Sequence, residues 1–174
     1  MKHRIGIYSG AFDPIHKGHI AFALEAMREC GLDGIVLLPE AQPRDKPSVS
    51  PLAHRVDLIN LAIADEHQLS VFIPSSKQFT VKQTLPELMS HFNDNTLTLL
   101  LGSDVLRTFA KSWDNLQVLL TNVHLAIGLR GHDTTAYVQK TVRDLEKEYG
   151  VPITYHIVEA PHKHVSSSAI RKVI

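Results

Sequence analysis

Apolar residues fall along this chain in two alternating patterns. Short continuous apolar runs are bounded by Gly, Ser or Pro, and between them apolar residues recur at spacings of three and four. The first run, 4–8, ends in Ser9-Gly10, and reads as a buried strand. After a loop over 9–17, Ile20, Ala23, Leu24, Met27 and Cys30 recur at helical spacing, with Gly31 where a left-handed cap belongs. The run 34–38, closed by Pro39, predicts a second strand. A polar loop over 40–50 follows and contains Pro43, the Arg44-Asp45-Lys46 cluster and Pro47. Ser50 before Pro51 predicts a cap followed by a first-turn proline, and Leu52, Val56, Ile59 and Ile63 continue that helix. Residues 69–73 predict a strand, 84–92 a helix, and 96–101 a strongly apolar strand stopping at Gly102-Ser103-Asp104. Another strand is predicted over 123–129, followed by Arg130-Gly131. Val138, Val142, Leu145 and Tyr149 mark a helix closed by Gly150 and Pro152. The last strand is 153–158, and 166–174 predicts a short helix opened by serines. No repeat, low-complexity tract or linker interrupts the alternation, which predicts an α/β fold: a parallel sheet flanked by helices in one domain spanning 1–174.

Composition narrows the chemistry. A chain of 174 residues, 44% hydrophobic, can bury a sizeable core. Lys plus Arg number 18, as do Asp plus Glu. The zero formal charge argues against a broad nucleic-acid or anionic-membrane surface but permits a local basic pocket. The single cysteine, Cys30, cannot form an internal disulfide. No segment has the length and apolarity of a membrane span, and the start MKHRIGIYSG has too short an apolar stretch for a signal peptide. A cytoplasmic protein with small-molecule partners, and without a membrane or nucleic-acid partner, is the expectation. Homo-oligomerisation stays open.

In a parallel sheet, ligands bind beyond the carboxyl ends of the strands. The first such loop reads Ser-Gly-Ala-Phe-Asp-Pro-Ile-His-Lys-Gly-His. Gly10 permits close backbone approach to a ligand. A helix beginning near Gly18 would aim free N–H groups and its positive dipole end at the same volume. His16 and His19 would add imidazole donors and Lys17 a charge, a combination suited to a polyphosphate. Spacing alone leaves two other readings open: surface loop histidines, or a metal pair, although no third ligand lies beside them. The loop matches neither the dinucleotide glycine fingerprint nor a Walker loop.

GAFDPIHKGH resembles the HxGH signature of the nucleotidyltransferase superfamily, and VSSSAIR over 165–171 resembles its second signature. LPEAQPRDKP followed by LAHRVDLINLAIAD is similar to the bacterial nicotinate mononucleotide adenylyltransferase branch. So is LLLGSDVLRTF followed by Trp113 and NVHLAIGLRG. The resemblance implies a Rossmann-like domain that joins ATP to nicotinate or nicotinamide mononucleotide, with direct in-line attack on the α-phosphorus. The products are a dinucleotide of NAD biosynthesis and pyrophosphate. It implies Mg²⁺ held by the phosphates, with no protein ligand. His16, His19 and Arg171 would be catalytic. Ser9, Gly10, Ala11 and Phe12 would pack against the nucleotide, and Lys46 would reach the phosphates. Asp104, after Gly102, would hold the ATP ribose, and Arg130 would add to a basic wall. Ser167 and Ser168 would join Arg171 on the β- and γ-phosphates. Thr84 and Trp113 would flank the nicotinate ring.

Plainer readings stand beside several of these. Lys46 can be a solvated loop lysine, Asp104 a helix cap, Ser166 an N-cap and Trp113 a partly buried core aromatic. His54, beside Arg55, matches the branch but is expected to be structural, and His162 and His164 around Lys163 to be surface loop residues. The chain stops three residues after Arg171, and FTVKQTL carries an extra residue relative to the branch. Base preference is therefore open. The alternatives are a pantetheine-phosphate adenylyltransferase or cytidylyltransferase of the same superfamily, a nucleotide-binding regulatory module without turnover, or a scaffold that binds no ATP.

Overall fold

The computed structural model describes residues 2–159 and 165–172. Its strands are β1 (Arg4–Gly10), β2 (Gly34–Pro39), β3 (Leu69–Val71), β4 (Thr96–Gly102), β5 (His124–Gly128) and β6 (Tyr155–Val158). The longer helices are α1 (Lys17–Cys30), α2 (Leu52–Ala62), α3 (Thr84–His91) and α7 (Thr135–Tyr149). Short helices α4 (Ser103–Leu106), α5 (Phe109–Ser112), α6 (Leu116–Asn122) and α8 (Ser167–Arg171) complete the described chain. Every strand pairing is parallel, in the order β3-β2-β1-β4-β5-β6. Successive strands step outward from β1 in one direction, then β4 returns to its other side. The crevice past the ends of β1 and β4 is thus a topological switch point, where open α/β sheets bind ligands.

Alternation along each strand divides the core. Ile7, Val36, Leu38, Leu99, Leu101, Leu125 and Ile127 point to one face, where Leu85, Leu119, Val138 and Val142 cover them. Tyr8, Ile35, Leu37, Leu100, Ala126 and Val158 point to the other, against Phe22, Ala26 and Ile59. Both faces are buried, which is why the strands read as continuous apolar runs.

Three expectations need correction. Strand β3 ends at Val71 and β6 begins at Tyr155, so both are shorter than predicted. Ser50 caps no helix: Pro51 occupies the N-cap position of α2. The Ser50 backbone is used otherwise, its N–H donating to Asp13 Oδ2 (3.1 Å) and its carbonyl accepting from Arg55 Nε (2.8 Å). Finally, residues 103–122 hold α4, α5 and α6, too short to show a helical period, yet Leu106, Phe109, Leu116, Leu119 and Leu120 are buried there. His162, Lys163 and His164 lie outside the described residues. Among the described residues no helix is long and apolar enough to cross a membrane.

The Arg55 side chain is fully buried beneath the crevice. Nη1 donates to the carbonyls of Ala11 (2.6 Å) and Glu40 (2.9 Å), Nε to Ser50 and Nη2 to Ala41 (3.5 Å). One guanidinium therefore ties together the loops after β1 and β2 and the entry to α2. Burial pulls its pKa below the ordinary arginine value, and the charges of Asp13 and Glu40 oppose that pull. His54, by contrast, is exposed. Arg55→Met should leave these carbonyls without donors and cost about 3 kcal/mol. Urea unfolding checks this: the midpoint should fall with m unchanged, and an unchanged midpoint would refute the clasp.

Candidate active site

The site begins with how α1 begins. His16 is its N-cap, with extended backbone (φ −147°, ψ 169°). His16 Nδ1 accepts from the N–H of Gly18 (3.1 Å), and His19 Nδ1 accepts from the N–H of His16 (3.2 Å). This is a capping box in which two imidazoles stand in for the usual hydroxyl and carboxylate. The expected free N–H of Gly18 is thus already satisfied by the cap. With both Nδ1 atoms accepting, the hydrogen-bond network assigns the proton of each neutral ring to Nε2. The rings stack with centroids 3.7 Å apart and planes 25° off parallel. Burial lowers the His16 pKa, helped by the Arg130 charge. Burial, then His16, Arg130 and Lys46, push His19 down to about 3. Both rings are neutral hydrogen-bond donors near neutral pH.

The end of β1 curls around this pair. Phe12 has φ 45°, in the left-handed region. Its ring folds back over Gly10, where a Cβ would sit 3.4 Å from the ring. It also meets Tyr8 and His19 edge-on, at centroid distances of 5.3 and 5.1 Å. Burial pushes the Tyr8 phenol up to about 12, against the opposing pull of Arg130. Ser9 Oγ donates to Glu40 Oε1 (2.8 Å), while Glu40 Oε2 is buried without a partner.

At the end of β4, Gly102 leaves room that a Cβ would take from Asp104 Oδ1 and from Arg130, whose Nε would lie 3.0 Å away. Gly102, not Asp104, holds the cap position of α4, and Asp104 sits exposed in its first turn. Ser103 Oγ accepts from the N–H of Arg130 (3.0 Å) and donates to Asp133 Oδ2 (2.7 Å). Arg107 Nη2 donates to the same oxygen (2.8 Å). This chain of bonds holds the Arg130–Asp133 turn against the β4 end.

Helix α8 brings Ser167 and Ser168 to the site, and Ser166 is its N-cap. Ser167 Oγ donates to the Pro14 carbonyl (2.9 Å), and Arg171 donates to the Asp13 carbonyl and to Ser168 Oγ (3.2 Å). Burial raises the Asp13 pKa, but the Ser50 hydrogen bonds and the Arg171 and Arg55 charges outweigh it, so the carboxyl titrates below its ordinary range.

These elements enclose a cavity of about 420 Å³ lined by Ser9, Gly10, Ala11, Phe12, His19, Lys46, Gly102, Asp104, Trp113, Arg130 and Ser167. An adjoining one of about 610 Å³ shares His19, Lys46, Asp104, Arg130 and Ser167, and adds His16, Ser168 and Arg107. Residues predicted from distant segments thus converge on one basic crevice. Two expected residues do not line it. Arg171 is turned to Asp13 and Ser168, so it braces the β1 loop. Thr84 is fully buried, its hydroxyl bonded with Ser76 Oγ (2.7 Å) and accepting from the Thr80 N–H (2.9 Å). It shapes the loop before α3 instead of facing a ligand. Trp113 is half-buried between Phe79 and Phe109, with centroid distances of 5.6 and 5.0 Å. Sequence reasoning missed Tyr8, and it missed Glu40, Arg107 and Asp133, whose partners are remote in the chain; it passed over Arg44 within a cluster that it had singled out.

A cation at the phosphates would find few protein ligands. Among the described residues no three His, Cys, Asp or Glu side chains gather as a metal site. Asp133 is engaged by Ser103 and Arg107, and Glu40 by Ser9, which leaves Asp104 and Asp45 as the carboxylates that line the crevice with no hydrogen-bond partner among the described residues. The donor set fits a divalent ion carried mainly by phosphate oxygens.

Comparison with known proteins agrees with this architecture. The cytidylyltransferase-like family model matches residues 7–173, and the chain belongs to that family. It is 30% identical over 177 aligned residues to a Neisseria meningitidis protein named "probable nicotinate-nucleotide adenylyltransferase", covering 97% of this chain and 87% of that one. It is 29% identical to a Clostridium botulinum protein of the same name, covering 98% and 86%. A solved Plasmodium falciparum nicotinic acid mononucleotide adenylyltransferase, complexed with NaAD, superposes with a TM-score of 0.75 at 22% identity, covering 98% of this chain and 83% of that one. That likeness establishes the shared fold.

The capping box makes a spectroscopic prediction. In ¹⁵N-labelled protein without ligand, His16 and His19 should show the neutral Nε2–H tautomer near neutral pH. The folded state takes up the His19 proton only near 3, against 6.5 in the unfolded chain. Its contribution to stability is therefore complete above 6.5 and drains away as pH falls toward 3. An imidazolium signal from His19 just below the ordinary histidine value would refute the arrangement.

Proposed function

We propose that the chain transfers the adenylyl group of ATP to nicotinate or nicotinamide mononucleotide, giving the dinucleotide and pyrophosphate. The observation that carries the chemistry is the pair of stacked, neutral imidazoles at the switch point, with Arg130 and Lys46 beside them. The choice of acceptor rests on relatives matched across 97% of the chain.

The reaction needs little proton chemistry. An oxygen of the acceptor's 5′-phosphate forms the new bond to the ATP α-phosphorus as the bond to pyrophosphate breaks in line. The nucleophile is already an anion, so no general base is required, and catalysis is positioning plus charge stabilisation. The Nε2–H groups of His16 and His19 donate to phosphate oxygens, and their tautomer is set before substrate arrives. Arg130 and Lys46 balance charge on the leaving pyrophosphate. The backbone from Ser9 to Phe12 packs under the nucleotide, and Asp104 accepts from the ATP ribose above Gly102. Ser168 reaches the phosphates, while Ser167 and Arg171 position the β1 loop. Trp113 offers its indole as a wall for the pyridine ring. Mg²⁺, held by the phosphates, would neutralise part of their charge.

Two measurements test this. Pyrophosphate release from Mg²⁺-ATP should occur with either pyridine mononucleotide and not with phosphopantetheine. Release with phosphopantetheine alone would overturn the acceptor, and ATP binding without release in any case would favour a regulatory module. His16→Ala should lower the rate at saturation by ~10²–10³ with ATP affinity little changed. Because alanine also removes the cap, at about 1 kcal/mol, His16→Asn serves as the companion variant: it keeps a capping acceptor and should be equally slow. Collapsed ATP affinity with an unchanged saturated rate would refute the role.

A further inference from the structure

A third cavity, of about 190 Å³, opens beside the main one and shares Arg44 and Trp113 with it. The shared residues form the partition between the two. The Arg44 guanidinium lies over the Trp113 ring, 5.0 Å from its centroid. It is held there by bonds from Nη1 to the Ser112 carbonyl and from Nη2 to the Phe79 carbonyl, each 2.8 Å. These carbonyls belong to the segments on either side of the cavity, so the fork is anchored from both. Its remaining N–H groups have no protein acceptor among the hydrogen bonds of the described residues.

The charges around the cavity are unbalanced. Arg44 and Lys82 line it with Asp114 as the one carboxylate, and the rest of its wall is Thr80, Val81, Gln83, Trp113 and Asn115. An aromatic wall, a fixed guanidinium and a cationic surplus suit a flat ring bearing an anionic substituent. An uncharged carboxamide of the same shape would gain the stacking without the charge-assisted hydrogen bond.

We propose that Arg44 is a specificity-determining residue that favours the acid over the amide form of the acceptor's ring, its anchored guanidinium pairing with the ring carboxylate at Trp113. This rests on the pyridine-mononucleotide reading above and sharpens it. Arg44 is half-buried and anchored by backbone, so little side-chain freedom remains to be lost on binding. A charge-assisted bond at a partly exposed site corresponds to about a tenfold preference.

The test compares two substrates within each variant, so a general loss of activity cancels. kcat/KM is measured for nicotinate and nicotinamide mononucleotides with Mg²⁺-ATP, for the wild type, Arg44→Gln and Arg44→Lys. Quenching of Trp113, the only tryptophan, gives both binding constants in parallel without turnover. The wild type should favour the acid about tenfold, Arg44→Gln should bring the ratio toward one, and Arg44→Lys should retain part of it. The same order should appear in the quenching titrations. An acid-to-amide ratio unchanged in Arg44→Gln would overturn the proposal and leave the proposed reaction standing. Neither turnover nor quenching with either mononucleotide in the wild type would overturn both.

Discussion

Everything at the crevice depends on one buried guanidinium. The loops after β1 and β2 turn away from the sheet just where its ladder of hydrogen bonds ends, leaving the Ala11, Glu40, Ala41 and Ser50 carbonyls with no strand to pair with. Buried carbonyls need donors, and only an arginine carries a planar, fully charged array able to serve all of them from one point. The desolvation cost of that charge is offset by its partners and by the nearby carboxylates of Asp13 and Glu40. Asp13 reaches in turn to Ser50, while Arg171 holds the Asp13 carbonyl. The β1 loop is therefore gripped from α2 on one side and from α8 on the other. Segments more than a hundred residues apart are fixed relative to each other before any substrate arrives.

That rigidity reaches the chemistry through the start of α1. A helix start leaves N–H groups in need of acceptors, and here the acceptors are imidazole nitrogens. The same bonds that begin the helix decide which ring nitrogens carry protons and which way they face. A serine-glutamate box would serve the helix as well, but it would leave a single hydroxyl to donate and set a carboxylate beside the phosphates. Preorganised donors of this kind need no rearrangement as charge develops. Keeping them neutral also removes a repulsion between the stacked rings, and the positive charge of the crevice is left to Arg130 and Lys46.

The fold was legible because its strands, buried on both faces, are continuous apolar runs, and α1 and α7 are long enough to show a period. The runs of α4, α5 and α6 were not legible: four to seven residues cannot display 3.6-residue periodicity. Ser50 misled because its cap signal is local, whereas Asp13, which claims its N–H, comes from the β1 loop, and Arg55 folds back from within α2 to take its carbonyl. The two signatures brought His16, His19, Ser167 and Ser168 to one crevice in advance. They did not distinguish a residue that faces the crevice from one that braces it. Arg171 and Thr84 both fell on the bracing side: the Asp13 carbonyl reaches Arg171 by tertiary contact alone, and Thr84 is claimed by the irregular 76–80 loop, which carries no periodic signal.

The zero net charge of the chain conceals how unevenly charge is used. Around the crevice several carboxylates are engaged: Asp133 by Ser103 and Arg107, Asp13 by Ser50 and its neighbouring arginines, and Glu40 in part by Ser9. The cations Lys46 and Arg130 line the cavities instead. A folded chain can thus be neutral overall and still present a positive field where its structure needs one, because internal bonds neutralise one sign selectively. Asp104 and Asp45 are the exceptions, carboxylates that line the cavity with no hydrogen-bond partner among the described residues. A pocket that combines donors for phosphate with a few acceptors such as Asp104 and Asp45 is matched to a ligand carrying both anionic and hydroxyl groups. Nucleotides are built that way, and simple polyphosphates are not.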